Sequence, residues 1–260
     1  VFVAAGHAVP IRIAGRVTDA VSGAPVVSIS VVAMAGALVR GTTDQNGMFD
    51  LPGLPPGAYG AVAVSQFGLY PGETFGGLTC LTPCSVNAAP RIISVSASAV
   101  ATADFRLTPG ATISGRVTAA GSQMPVAGVT IYPVHDSGGR GVPLTPATTD
   151  AQGRYTVQGL PAGRYRLVAF SGPYVTQVFG GVMCTTLEMC DSGNVGGLGV
   201  PVDVSAGGAA TERNFELTPG GGFSGTVVEA GSGQAVTSGS ITVYQIMNGA
   251  VFPTTTVSVD

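Results

Sequence analysis

The sequence has no lysine and no tryptophan, few charges and almost no histidine. All 11 basic residues are arginine against 14 acidic ones, only 10% of the 260 residues are charged, and the formal net charge is −3. Without lysine there is no Schiff-base nucleophile and no lysine general base. A Lys–Asn crosslink of the kind that locks some surface fibres is excluded as well. A near-neutral chain with no basic run offers no electrostatic footprint for nucleic acid. No stretch approaches the roughly 18 consecutive apolar residues that a membrane-crossing helix needs, so no transmembrane segment is expected.

What the chain does have is 40 glycines, 18 prolines and an apolar content of 45%. Disordered chains lack that apolar content, and the glycines follow no collagen period, so the composition describes a folded, turn-rich protein of about two domains. Internal repetition then sets the architecture. "IAGRV" (Ile13 to Val17) returns as "ISGRV" (Ile113 to Val117) and "FSGTV" (Phe223 to Val227), at spacings of 100 and 110. "GLPPGAY" (Gly53 to Tyr59) returns as "GLPAGRY" (Gly159 to Tyr165), and "TFGGLTC" (Thr74 to Cys80) as "VFGGVMC" (Val178 to Cys184). "ADFRLTPG" (Ala103 to Gly110) returns as "RNFELTPG" (Arg213 to Gly220). The repeats delimit an apolar arm (1–10), two full units (11–110 and 111–220) and the opening of a third (221–260). Gly115 to Asp150 and Gly225 to Asp260 both span 35 positions, while Gly15 to Asp44 spans 29; the shortfall falls at a hairpin tip around "AMAGALVR".

Within a unit the signals are those of β structure. Phe105 and Leu107 alternate with Arg106, and Tyr155 and Val157 alternate likewise. Runs rich in Val, Ile, Thr, Tyr and Phe are broken every eight to twelve residues or so by Gly, Pro, Asn or Asp. "DQNG" and "DAQG" read as tight turns with Gly47 and Gly153 at positive φ, and Asn248–Gly249 as a two-residue hairpin turn. The expected fold class is all-β: tandem antiparallel β-sandwiches of Greek-key type, with an incomplete third unit.

The succession "ISGRVT", "TDAQGRY" and "GLPAGRY" resembles the carboxypeptidase regulatory-like domain, a transthyretin-like sandwich of about seven strands. The resemblance covers about 70 to 80 residues of each full unit. The following "FGG…C…C…V…F.L.PG" is similar to an extension found in secreted bacterial arrays of that domain. It implies a non-catalytic module of extracellular hydrolases, receptors and surface proteins, with no catalytic residues to carry over and no cofactor.

Cys80 and Cys84 occupy the same place in the first unit as Cys184 and Cys190 in the second. Zinc is one use for such pairs, but a four-ligand site needs more Cys or His nearby, and His7 and His135 lie outside these segments. Two local disulfides are the expectation, and with them an oxidising compartment: secreted, extracellular or at the cell surface.

Several fragments carry the residue types of a site. "HDS" (His135 to Ser137) holds the members of a hydrolase triad, yet three successive residues at a hairpin tip are expected to form a polar loop. "GGGFSG" from Gly220 fits G-x-G-x-x-G, but it leads into "FSGTVVEA", expected to be a strand where a dinucleotide site needs a helix. "DQNG" resembles the start of a calcium loop and lacks the later carboxylates. Tyr59 and Tyr165 are the only hint of a polysaccharide partner, and core packing is the plainer expectation for both. No catalytic, cofactor or metal residue is assigned.

The third unit supplies three or four strands, and half a sandwich exposes apolar surface and unpaired backbone groups. Val243, Phe252, Val257 and Val259 are the candidate acceptor residues there. Val1, Phe2, Val3, Ala4 and Ala5 form the candidate donor arm for a neighbouring copy. Other readings of the ends are a signal-peptide remnant cut after Ala8 and a piece of a longer array. The expected partners are copies of the chain, or neighbouring repeats, in a stalk or filament; the rival is a spacer or carbohydrate-binding module of a larger secreted hydrolase or surface protein.

Overall fold

The computed structural model describes residues 11–259 except 36, 82–83, 98, 138–139, 185–188, 191–193, 223 and 248–249. The candidate arm Val1–Ala5 and the Asn248–Gly249 turn therefore lie outside the described residues. The chain divides into two compact units, one drawn mainly from the first 113 residues and the other mainly from Ser114 onward.

The first unit comprises β1 (Arg12–Asp19), β2 (Ile29–Ala35), β3 (Ala37–Thr42), β4 (Met48–Pro52), β5 (Gly57–Ser65), β6 (Glu73–Thr74), β7 (Ile93–Val95), β8 (Ala101–Thr102) and β9 (Phe105–Leu107). One sheet runs β4-β1-β8, with β9 also on β1; the other runs β3-β2-β5-β6, with β7 also on β5. The alternation visible in the sequence sets which face is buried. Along β1 the burial alternates so that Ile13 and Val17 point inward, and along β4 Phe49 and Leu51 do the same. The inner faces of both sheets contribute to one apolar cluster containing Ile13, Val17, Val31, Phe49, Leu51, Ala61 and Phe105, which makes the unit a sandwich.

The second unit repeats this plan with β10 (Ala111–Ala119), β11 (Thr130–Ser137), β12 (Arg140–Pro143), β13 (Ala147–Thr148), β14 (Arg154–Leu160), β15 (Gly163–Phe170), β16 (Gln177–Val178), β17 (Val182–Met183), β18 (Val202–Val204), β19 (Ala209–Ala210) and β20 (Phe215–Leu217). Its sheets run β14-β10-β19, with β20 on β10, and β12-β11-β15-β16-β17, with β13 on β11 and β18 on β15. An aromatic trio marks the centre of each sandwich. Phe105 meets Phe49 and Phe75 at 6.1 and 5.7 Å; Phe215 meets Tyr155 and Phe179 at 6.3 and 5.7 Å.

Pairing is antiparallel as expected except along one edge. There β8 and β9 run parallel to β1, with Val17 opposite Phe105, and β19 and β20 run parallel to β10, with Val117 opposite Phe215. Alternation within a short strand reveals its faces but not its direction relative to a strand some ninety residues away, so the sequence held no signal for this pairing.

The tight turns form as expected. Gly47 and Gly153 sit at φ 73° and 71°. Asp44 Oδ1 accepts from the backbone of Asn46 and Met48, and Asp150 Oδ1 from that of Gln152 and Arg154, all at 2.8 to 2.9 Å.

In the third repeat β21 (Gly239–Met247) and β22 (Ala250–Val259) form a two-stranded sheet. The expected strand in "FSGTVVEA" is absent: residues 224–227 have no strand structure, and only an isolated bridge, Val228 to Ala235, marks the place. The reason is pairing. In the complete units β1 and β10 are held between β4 or β14 on one side and β8–β9 or β19–β20 on the other, and residues 221–260 contain no counterpart of either flank.

Candidate functional site

The sequence fragments with catalytic residue types do not assemble into a reaction centre. "HDS" is not a loop: His135, Asp136 and Ser137 end β11, paired with Val142, Gly141 and Arg140 of β12. Residues two apart on a strand share a face. His135 and Ser137 therefore meet, Nδ1 to Oγ at 2.8 Å. Asp136 points the other way, toward the buried Arg166, whose Nη2 lies 3.6 Å from Asp136 Oδ2. Arg166 Nη1 also donates to the carbonyls of Leu198 and Gly199 at 2.8 Å each. The aspartate thus braces a structural arginine and does not orient the histidine, as a triad would require.

The turn aspartates Asp44 and Asp150 direct a carboxylate oxygen to the N–H groups of their own turns. Among the described residues no group of three or more His, Cys, Asp or Glu is placed to hold a metal ion. Tyr59 and Tyr165 are 3% and 0% exposed, and the Tyr59 hydroxyl donates to the Pro55 carbonyl at 2.8 Å. Both belong to the core, and neither presents a ring to a sugar.

The cysteines pair within each unit, Cys80 with Cys84 and Cys184 with Cys190. Each disulfide lies in the excursion that follows β6 or β16, and the excursion covers the outer face of the larger sheet. Cys84 packs with Met34 on the buried pair Val32 and Val62. Cys184 and Cys190 pack on Val134, Val168, Val178 and Val195. Each sandwich so gains a small second apolar layer, which the sequence signalled only as a repeated cysteine spacing.

A different kind of site recurs along the first strand of each unit: a notch made by a glycine. A Cβ on Gly15 would collide with the carbonyl oxygen of Ala103, and one on Gly115 with that of Arg213. In the first unit the Ala103 N–H donates to Ala14 O at 3.0 Å and Asp104 Oδ1 accepts the Arg16 N–H at 2.8 Å. In the second, the Arg213 N–H donates to Ser114 O at 3.0 Å and Asn214 Oδ1 accepts the Arg116 N–H at 2.8 Å. The glycine therefore lets a parallel partner bulge inward between β8 and β9, or between β19 and β20, and an Asx side chain takes the N–H the bulge leaves over.

The third repeat keeps this arrangement without its occupant. Gly225, the counterpart of Gly15 and Gly115, has nothing within 4 Å of its would-be Cβ among the described residues. The turn that follows is nevertheless formed as in the other units. Val236 N donates to Val227 O at 2.9 Å, as Val26 does to Val17 and Val126 to Val117 at 3.0 Å. Glu229 N donates to Gln234 O at 2.9 Å, matching Asp19 to Ala24 and Ala119 to Met124. The Ser232 hydroxyl donates to the Glu229 carboxylate as that of Ser22 does to Asp19.

Further along the chain, the start of hairpin β21–β22 sets apolar and polar residues on opposite faces. Ile241 pairs with Val257 and Val243 with Thr255, while Gly239 lies opposite Val259; the intervening Thr242 and Thr256 hydroxyls meet at 3.0 Å on the other side. Ile241 and Val257 are 41% and 51% exposed, whereas the counterparts of Ile241 in the complete units, Val31 and Ile131, are both fully buried. Of the candidate acceptor residues, Val243 and Val259 are half-buried and Val257 is exposed. Phe252 lies opposite Gln245, its side chain outside the described residues.

Fold and sites together define a tandem of β-sandwich modules without a reaction centre among the described residues. The family model described as "Carboxypeptidase regulatory-like domain" matches residues 12–108 and 112–218, and the chain belongs to that family. No curated protein matches the chain. Among solved structures it is similar to GBS52, the minor pilin of Streptococcus agalactiae, at 12% identity and TM-score 0.38, over 84% of this chain and 99% of that one. It is similar to the shaft pilin SpaA of Lactobacillus rhamnosus GG at 10% identity and TM-score 0.34, over 83% and 100%. It is also similar to the Bacillus anthracis TIE protein at 10% identity and TM-score 0.31, where 96% of this chain spans 42% of that one. Likeness at these values carries no argument about role.

Proposed function

We propose that this chain is a non-catalytic, secreted structural protein whose units form an extracellular stalk or filament, joined to copies of the chain or to neighbouring repeats through the third unit. The observation that carries this reading is the series Val31, Ile131 and Ile241. The first two are fully buried and the third is 41% exposed, at one and the same position of the repeat. A two-stranded hairpin with a bare apolar face is marginal in water, and further β structure laid on that face would stabilise it. The paired disulfides support export to an oxidising compartment. Repeat boundaries at 11–110, 111–220 and 221–260 follow from this reading, each unit being one sandwich or the opening part of one.

Electron microscopy of native material, with intact mass after denaturation without reductant, tests it. Filaments or rods are expected. Dispersed small particles would remove the array and leave the alternative, a spacer of a larger secreted hydrolase or surface protein.

A further inference from the structure

We propose that Asn46 is a site of spontaneous covalent modification, its side-chain amide being lost to attack by the Gly47 backbone nitrogen, and that this reaction ages the first unit while sparing the second.

The turn between β3 and β4 obliges glycine to follow the asparagine. Gly47 sits at φ 73°, and a Cβ there would collide with the carbonyl oxygen of Val17. No side chain therefore screens the Gly47 nitrogen. Asn46 is exposed at the turn, and its side-chain amide makes no hydrogen bond to another described residue, so it can swing toward that nitrogen. Gly47 N then bonds to Asn46 Cγ, the Cγ–Nδ2 bond breaks, and ammonia leaves with the amide proton. Water opens the resulting five-membered succinimide at either carbonyl, leaving aspartate or isoaspartate at position 46.

The second unit is a built-in control, because its turn has the same backbone. Gly153 sits at φ 71°. Gly153 N donates to Asp150 O at 2.9 Å, and Gly47 N to Asp44 O at 3.0 Å. Arg116 Nε donates to Gln152 O, and Arg16 Nε to Asn46 O, both at 3.0 Å. The difference is Gln152 in the place of Asn46. Its extra methylene makes the ring six-membered and much slower to close. In the first unit the turn itself restrains the reaction. Attack needs the Gly47 N–H released from Asp44 O, and Asp44 Oδ1 steadies the same turn by accepting from the backbone of Asn46 and Met48. The isoaspartate product adds a methylene to the main chain of the turn. That disturbs the bond by which Val17 N donates to Gly47 O at 2.8 Å, next to the pairing of Arg16 with Met48 that joins β1 to β4.

The test keeps the full chain folded in warm, mildly alkaline buffer and samples it by peptide mapping with fragmentation, which assigns each conversion of amide to acid to its residue. Asn248–Gly249, outside the described residues, is read in a separate peptide. Conversion is expected at position 46 and none at 152. Gln152→Asn should install the reaction in the second unit. Asp44→Ala should hasten it at position 46 by about tenfold, since two hydrogen bonds that keep the turn closed are removed. In aged protein the Val17 amide should exchange faster than in fresh protein, while Val117, whose N–H donates to Gly153 O at 2.7 Å, keeps its protection. The same exchange data show that each variant remains folded. An intact Asn46 in the folded chain, after the urea-unfolded chain has fully converted, overturns the proposal, because the turn would then be a shield. Conversion that leaves Val17 exchange unchanged overturns it too, since the first unit would not age.

Discussion

At the scale of single residues, the two full units act as controls for each other. Glu73 and Gln177 hold the same position, and both are buried. Burial raises the Glu73 carboxyl above its ordinary range, opposed by a hydrogen bond from the Thr108 backbone. The fold therefore binds this proton more tightly than the unfolded chain does. Stability is lost as pH climbs past the unfolded value of about 4.3, and the loss is complete above the raised folded value. Glu73→Gln is expected to stabilise the first unit at pH 7 and to lose most of that advantage at pH 4; urea unfolding at the two pH values measures the difference, and an equal effect at both would contradict it. The notch glycines give a second comparison. Gly15→Ala and Gly115→Ala should each cost about 1–3 kcal/mol, because the colliding atom is a backbone carbonyl that cannot swing away. Gly225→Ala in the isolated chain should change stability by less than about 0.5 kcal/mol. The three glycines are equally conspicuous as repeats in the sequence; which of them carries a neighbour was not legible, because that neighbour is some ninety residues away at Gly15 and Gly115.

Strands and loops present a different balance. Alternation placed Phe105, Leu107, Tyr155 and Val157 on inward faces, and all four are buried. Phe105→Ala should cost about 3–5 kcal/mol by leaving a hole between Phe49 and Phe75. The disulfide excursions were visible as cysteine spacing, but their service as a cover over Val32 and Val62, or Val134 and Val168, depends on where the chain returns. Replacing Cys80 and Cys84 by Ser should cost about 2 kcal/mol on the chain-entropy account. Faster exchange should appear first around β6 and the segment after it, with β1 little changed. The "HDS" fragment shows the opposite lesson. Its residue types were plain, and a loop was expected, but an extended backbone gave His135 and Ser137 a shared face and sent Asp136 to Arg166.

For the whole molecule, the decisive contrast is between two closed sandwiches and an open hairpin. Amides of β21 and β22 should exchange orders of magnitude faster than those of β1 and β10, since few buried contacts oppose their opening. A chain ending at Pro219 should keep the unfolding midpoints of both sandwiches within about 1 kcal/mol and should lose any self-association seen by sedimentation. Retained association would move the joining surface out of the third unit.

By itself the sequence determined the all-β class, the repeat, the turns at Gly47 and Gly153, the inward faces and the cysteine pairs. Each of these is fixed by neighbours within a few positions or by the simple recurrence of a segment. Only the tertiary structure decided the parallel edge at β1 and β10, the filled notches at Gly15 and Gly115, and the open one at Gly225. Those depend on which distant backbone comes to lie beside a strand, and a strand's own residues do not record its neighbour. For the same reason residues 224–227 keep the letters of a strand and do not form one: β1 and β10 are flanked on both sides, and residues 221–260 contain no counterpart of either flank.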